Sequence, residues 1–557
     1  MYKCPGCGAG LRFDPAAQKL VCDHCMKQIG PEAFDTLENT ITASGQDNVI
    51  PESVQAGDSY QAIIYTCPNC GGQLISTDET AATFCSYCGA SVLLQGRLEE
   101  MKAPKTIIPF KVTREDGKKA YKKALASAIF APSYMKKAET VDQFRGIYMP
   151  YWLYSFMYDD TVHARGKVEK RRGDYVYVDR YEVTKPVTAA YEGTAFDAAS
   201  SFSDNLSQAI APFDVTESRN FSPAYMSGFY ADVSDVYSDV YYREAHDIAK
   251  RDLVREVNKD YTFIKYGVSS GKVDEAIGLQ GTGEEIGMFP VWFLASRNKK
   301  NDRVSYAVVN GQTGRVAADL PIDFGKYVLG SLLLAIPLFL VFSLFLFLTP
   351  MRMLLAALVT AVIGMIILNR QLNRAFTREN QLDDKGYLSV EKGMEAARSV
   401  QKKTAKKSNI NIKGCGTGVW VAVIFGGLML LGEVADSLGD GWVLGVLFMV
   451  VFGVAILIIV LNLIQRAKGR GGELVQKTVV KAPFKEKMLT LAKPFIGIIA
   501  GVIVYVLNPA EDWFFYGAAI LSMLLTIWSV YDIVQQHNIQ TMRKLPQFNR
   551  RGGAQNV

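Results

Sequence analysis

The chain has 557 residues, too many for one ordinary domain, with 49% hydrophobic and 21% charged residues and a formal net charge of +6. The apolar residues are unevenly spread: the first 320 or so positions read as soluble, while the last 230 or so hold long apolar runs, which excludes both a purely soluble and a disordered chain. The modest basic excess lies in the loops between those runs, which points to membrane topology rather than a nucleic-acid surface.

In chain order, the first feature is Cys4-Pro-Gly-Cys7, followed after fourteen residues by Cys22-Asp-His-Cys25. The same pattern returns as Cys67-Pro-Asn-Cys70 and Cys85-Ser-Tyr-Cys88, each cysteine 63 positions after its counterpart, an internal duplication. Paired CxxC knuckles place four thiolates tetrahedrally around Zn²⁺, so Cys4, Cys7, Cys22 and Cys25 form one expected site and Cys67, Cys70, Cys85 and Cys88 the other. Such sites are coordinatively closed and structural, which predicts two bound Zn²⁺ ions in two small zinc-ribbon β modules, residues 1–30 and 63–97, joined by a linker over 31–62. With four thiolates available, His24 is expected to be a loop residue. Zinc thiolates need a reducing compartment, and the opening MYKCPGCG lacks the pattern of a signal peptide, so the ribbons are expected in the cytosol.

From Pro104 to about residue 322 the pattern predicts a β-rich α+β cytosolic region. IIPFKV (107–112) reads as a strand, and Thr113 caps a helix running to about Ile129 with Asp116 at its third position. Lys118, Lys119, Lys122 and Lys123 read as the solvated flank of that helix. GIYMPYWLY (146–154) opens a β segment whose hairpin turns at Lys170, Arg171, Arg172 and Gly173. A helix follows over roughly 233–258. GMFPVWFL (287–294) then opens a second β segment, with Asn310-Gly311 expected to supply the positive φ of a tight hairpin. The two related phrases suggest two related β subdomains.

Six apolar runs follow, at 327–348, 353–368, 419–438, 442–464, 494–508 and 513–533, predicting a C-terminal six-helix transmembrane bundle. They group as transmembrane hairpins 327–368, 419–464 and 494–533, with basic cytosolic loops 369–418 and 465–493 and a cytosolic tail 534–557. Those loops and the tail carry 23 Lys and Arg, against Arg352 alone on the opposite side. The positive-inside rule therefore places both termini in the cytosol of a multi-pass protein of the bacterial cytoplasmic membrane, with basic loops that attract anionic lipid. Glu433 is read as the most interior acid of any span, and Gly497 and Gly501 as a close-packing GxxxG pair. Cys415 is expected to be a plain cysteine beside a span.

No reactive constellation accompanies these elements, so no enzyme and no catalytic residue is expected. Gly267-Val-Ser269-Ser-Gly271 fits a nucleophile elbow only in letters, since the only histidine after it is His537, beyond all six runs. The glycine fingerprints for nucleotides are incomplete, and His163 and His246 have no partner pattern. Residues 65–96 contain no Lys or Arg, and two Zn(Cys)₄ sites add negative charge, which argues against nucleic acid.

The CPxCG knuckles, IIPFKV, GIYMPYWL, FSPAYMSGFY (221–230), PVWFL and VNGQTGRV (309–316) resemble a family of bacterial, mostly Gram-positive, membrane proteins with cytosolic TFIIB-type zinc ribbons. Such proteins are often labelled replication-restart or primosomal helicase-like, although this sequence carries no motor motif. The resemblance implies a place in envelope-stress assemblies and partners of the phage-shock-protein-A or flotillin type. The resulting expectation is a non-enzymatic docking or scaffold platform at the inner leaflet. The alternatives are a transporter or channel regulated by the ribbons, with Glu433 in the path, and a membrane-tethered nucleic-acid binder.

Overall fold

The computed structural model describes residues 3–33, 59–76, 85–90, 95–298, 302–345, 349–390 and 479–544. Glu433, Cys415 and the expected spans at 419–438 and 442–464 lie outside them, as does most of the expected linker.

The first cysteine module is a three-stranded antiparallel sheet, β1 (Leu11–Asp14), β2 (Lys19–Cys22) and β3 (Gln28–Ile29). The second is not a separate bead. Its strands β4 (Ser59–Thr66), β5 (Gln73–Ser76) and β6 (Gln95–Lys102) are the end of a twelve-stranded sheet that runs through the body of the chain. That body adds β7 (Thr106–Ile107), β8 (Arg145–Arg172), β9 (Tyr175–Asp197), β10 (Arg219–Asn220), β11 (Tyr230–Ala231), β12 (Gln280–Asn298), β13 (Arg303–Asn310) and β14 (Val316–Ala318).

The two related phrases lie on neighbouring strands of this sheet. β8 and β12 pair antiparallel, with Pro150 opposite Met288 and Tyr148 opposite Pro290. The same bonds recur on both sides of an approximate two-fold axis. Trp152 donates its indole N–H to the Val236 carbonyl at 2.7 Å, and Trp292 donates to the Val112 carbonyl at 2.9 Å. Asp235 and Val236 both donate to the Ala198 carbonyl, as Lys111 and Val112 do to that of Gly311. The halves are also interleaved: β7 runs parallel to β12 of the other half, and β11 parallel to β8. The duplicated phrases therefore build one body with an exchanged strand on each side rather than two subdomains.

Helix α1 (Arg114–Ser127) begins as its sequence dictates, with the Thr113 hydroxyl accepting from the Asp116 N–H at 3.2 Å. Lys118 is not on a solvated flank. It is only 12% exposed and pairs with Glu115 at 2.9 Å and Asp142 at 3.0 Å, while Tyr121 and Leu125 enter the core. Helices α2 (Asp204–Ile210), α3 (Asp239–Val257) and α4 (Ser270–Ala276) cover the β8–β9 hairpin and its surroundings. Asn310-Gly311 does not make the expected positive-φ turn. The buried Asn310 carboxamide accepts from the N–H groups of Gln312 and Thr313 at 2.9 Å each, and the left-handed residue is Gly314, with φ of 75°. Gly311 is needed for space, since a Cβ there would stand 2.6 Å from the Phe110 ring.

Among the described residues, three helices are long and apolar enough to cross a membrane, against six expected: α6 (Pro350–Glu379), the Lys487–Leu507 part of α7 (Phe484–Leu507), and α8 (Asp512–Thr541). A further helix, α5 (Phe324–Phe345), holds residues 327–345 of the first expected run, with Pro337 in its interior. α6 extends eleven residues past the expected span, so Arg370, Arg374 and Arg378 stand on a helix and not in a loop. α7 starts ten residues before Pro494, which it accommodates in its interior. Apolar side chains such as Leu489 and Val506 of α7 and Ile527 of α8 are 79%, 73% and 66% exposed, a surface that water does not tolerate over two neighbouring helices and lipid does. The glycine pair works as expected: a Cβ on Gly497 would meet Ser522 of α8 at 3.1 Å, and one on Gly501 would meet Leu358 of α6 at 2.6 Å.

The helices are tied to the sheet at one end. Directly after α8, β15 (Arg543–Lys544) pairs antiparallel with β13, Val304 opposite Arg543. Around it Arg303 pairs with Glu379, Lys544 with Glu379 at 3.0 Å, and Arg543 and Arg378 face Asp319 at 3.7 and 3.9 Å. The segment after α6 docks too, the Lys385 N–H donating to Asp204 at 2.9 Å and its ammonium pairing with Glu244.

Candidate metal centres

Each knuckle is a tight turn in which the N–H four residues after its first cysteine returns to that cysteine's carbonyl. Gly8 donates to Cys4 at 2.8 Å, Met26 to Cys22 at 2.9 Å, Gly71 to Cys67 at 2.7 Å and Gly89 to Cys85 at 3.0 Å. All four donors adopt positive φ, 76°, 59°, 73° and 67°, which is why three of them are glycine.

The turns bring together the eight cysteines that the spacing singled out. The only groups of potential metal ligands among the described residues are Cys4, Cys7, Cys22 and Cys25, and Cys67, Cys70, Cys85 and Cys88, with ligand atoms within 4.8 Å of one another in each. His24 belongs to neither. Four sulfurs about 2.3 Å from a tetrahedral ion stand about 3.8 Å apart. The Sγ–Sγ distances are 3.5 Å for Cys4–Cys25 and Cys7–Cys22, 3.8 Å for Cys67–Cys88 and 3.7 Å for Cys70–Cys85. Each quartet fits one tetrahedral ion, with no fifth protein donor and no carboxylate beside it among the described residues.

Crowding four thiols drives their acidities apart. The Cys70 and Cys85 thiols lower Cys67 to about 7, whereas Cys70 is pushed upward chiefly by its contact with Cys67. Backbone donation from Gly6 leads in bringing Cys4 to about 7. Asn69 donates to the Cys88 sulfur and the Gly72 N–H to that of Cys70, both at 3.4 Å, the outer-shell bonds that orient a thiolate.

The two quartets differ in burial. Cys7 and Cys25 are exposed, whereas all four cysteines of the second quartet are buried. The first module rests on the 221–229 segment, the Phe13 N–H donating to the Ser227 carbonyl at 3.0 Å and the Phe13 ring packing on Tyr225 at 5.3 Å. The second shares a core with β8, β12 and β13. Tyr87, inside its last knuckle, accepts at its carbonyl from the Tyr306 hydroxyl at 2.7 Å, and the Arg543 guanidinium lies over the Tyr306 ring, 5.3 Å from its centre. A short path of contacts thus joins the second quartet to the strand that follows the last apolar helix. Asp232, buried beneath Tyr87, is raised to about 7, desolvation outweighing its bonds from Ser201 and Tyr87. Sequence reasoning did not single out Tyr87, Asp232 or Tyr306; the aromatic inside CSYC was the one local signal.

No family model matches the chain, and no solved structure matches it. It is 26% identical over 330 residues to uncharacterized protein YdjG of Bacillus subtilis (strain 168), a stretch covering 58% of this chain and 91% of that one. That likeness carries no activity to the chain.

Proposed function

We propose that the chain is a zinc-binding integral membrane protein of the bacterial cytoplasmic membrane, acting without enzymatic chemistry as a docking platform on the inner leaflet. Two four-sulfur sites, one built into a sheet that is joined to the last apolar helix and one resting on the same body, carry this reading. Thiolate donors at tetrahedral spacing favour Zn²⁺ over hard cations, and thiolates need the reducing side of the membrane. Both termini are assigned to that side, consistent with β15 rejoining the body that bears the quartets. The partner is a cytosolic or membrane-associated protein. The resemblance to zinc-ribbon membrane proteins of envelope-stress assemblies makes a phage-shock-protein-A-like or flotillin-like scaffold the first to test.

The experiment is crosslinking in native membranes followed by purification, with wild type beside Cys4→Ser/Cys7→Ser, whose half-exposed quartet can be lost with less damage to the body. At equal membrane abundance, a protein partner retained by wild type and lost by the variant supports docking. Equal partner recovery from wild type, from this variant and from one that also carries Cys67→Ser/Cys70→Ser, with both metals absent from the last, overturns it.

A further inference from the structure

Away from the cysteines, the outer part of the β8–β9 hairpin bears a cleft of about 600 Å³ that the docking reading does not use. Its base is backbone laid on backbone. The Lys167 N–H donates to the Gly267 carbonyl at 3.2 Å, and Gly166 forms an antiparallel bridge with Val268. Two glycines permit this approach: a Cβ on Gly166 would lie 2.1 Å from the Tyr266 carbonyl oxygen, and one on Gly267 would lie 2.1 Å from that of Lys167. Tyr181 on the wall packs its ring against Tyr266 at 4.8 Å. Ser269, whose surroundings imitate a nucleophile elbow, stands at the start of α4 on the rim.

The charges on this wall are one-sided. Arg165, Lys167, Arg180 and Lys272 line it against the single carboxylate Glu182. The hairpin register sets Lys167 directly opposite Arg180, an arrangement that destabilises a bare two-stranded ribbon. Lys167 is partly compensated by Glu169 and Lys272 by Glu275, both at 2.7 Å. The Arg165 and Arg180 guanidinium groups make no hydrogen bond or ion pair among the described residues, although the register sets Arg165 opposite Glu182. Two unpaired guanidinium forks beside two ammonium groups, over a base held by backbone bonds, suit an anion with several oxygens and more than one charge.

We propose that this cleft binds a small phosphorylated molecule through Arg165, Lys167, Arg180 and Lys272. The phosphoryl group belongs either to a free solute or to a lipid headgroup, and the two sources are separable. The full chain is placed in nanodiscs of phosphatidylcholine alone or with phosphatidylglycerol, and inorganic pyrophosphate is titrated calorimetrically beside the Arg165→Gln/Arg180→Gln variant. An Arg171→Gln/Arg172→Gln variant at the hairpin tip controls for general charge. Saturable pyrophosphate binding in neutral discs is expected, weakened at least tenfold by the cleft variant, little changed by the tip variant, and weaker at high salt. If the headgroup is the natural occupant, phosphatidylglycerol discs reduce pyrophosphate affinity in wild type by threefold or more. Absence of saturable binding to wild type in neutral discs, or equal binding by wild type and the cleft variant, overturns the proposal. The replaced side chains are exposed, and equal thermal unfolding of wild type and both variants separates lost binding from a folding defect.

Discussion

At the scale of single residues, Met26 is the odd member of its set. It holds a left-handed conformation, φ of 59°, where the other three knuckles use glycine. A side chain in that region costs about 1 kcal/mol, so Met26→Gly is expected to stabilise the first module by about that much and to slow metal loss to a chelator. Unchanged or faster chelation would contradict the turn geometry. Asp232 gives a pH prediction. Its folded pKa of about 7 lies above the ordinary 3.8, so the folded state holds the proton more tightly than the unfolded one. Its stabilisation is full below about pH 4 and is lost as the pH rises through 7, about 4 kcal/mol in all. Asp232→Asn should flatten the fall in thermal stability between pH 5 and 8, and parallel profiles for the two proteins would rule this out. The eight cysteines were legible because metal ligation imposes a spacing that survives in one sequence. Asp232 was not, because its burial comes from Tyr87 and Ser201, far away along the chain.

At the scale of elements, the apolar helices make two checkable contacts. Lys493 of α7 pairs with Asp532 of α8 at 2.7 Å and lies 4.5 Å from the Trp528 ring. Removing one partner strands a charge, so Asp532→Asn should lower stability in mild detergent by about 3 kcal/mol, whereas Lys493→Met with Asp532→Leu should restore most of it. A double variant as unstable as the single one would show that the pair is not the unit. Gly501→Val should force α6 and α7 apart and cost about 1–3 kcal/mol by overpacking, read as earlier unfolding of the helices. The Thr113 cap, the GxxxG pair and the long hairpin were legible because each leaves a local pattern, a capping residue, a spacing of small residues and an alternation about a turn, whatever it then packs against. The extent of α6 was not, since its charged last turns are held by Asp319 and Asp383 rather than by an apolar pattern. Asn310-Gly311 misled because its asparagine caps the turn from within, its amide also donating to the Ile210 carbonyl at 3.0 Å.

At the scale of the whole molecule, repetition in the sequence marks two different constructions. The cysteine repeat produces two like pairs of turns in unlike settings, one half exposed and one sunk in the main core. The repeated G…P-x-W phrases produce one interleaved body. A single sequence reveals that the halves match, but not that each lends a strand to the other, since that pairing joins residues more than 80 positions apart. The same body contacts the second quartet through Tyr306 and the last apolar helix through β15, so loss of the second metal should loosen both. Hydrogen exchange is expected to rise in β13 and around residues 542–544 in Cys67→Ser/Cys70→Ser, but not in Cys4→Ser/Cys7→Ser. Equal exchange in both variants would break the link.

Under the proposed reading, zinc closes both four-cysteine quartets and the second ion stabilises the core that is joined to the apolar helices. The most direct test is elemental analysis of protein purified from its own membranes without added metal, wild type beside Cys67→Ser/Cys70→Ser. Two zinc ions per chain are expected in the wild type, one for each four-cysteine quartet, and one in the variant. Wild type carrying no zinc, or keeping its thermal stability after complete removal of the metal, would contradict it.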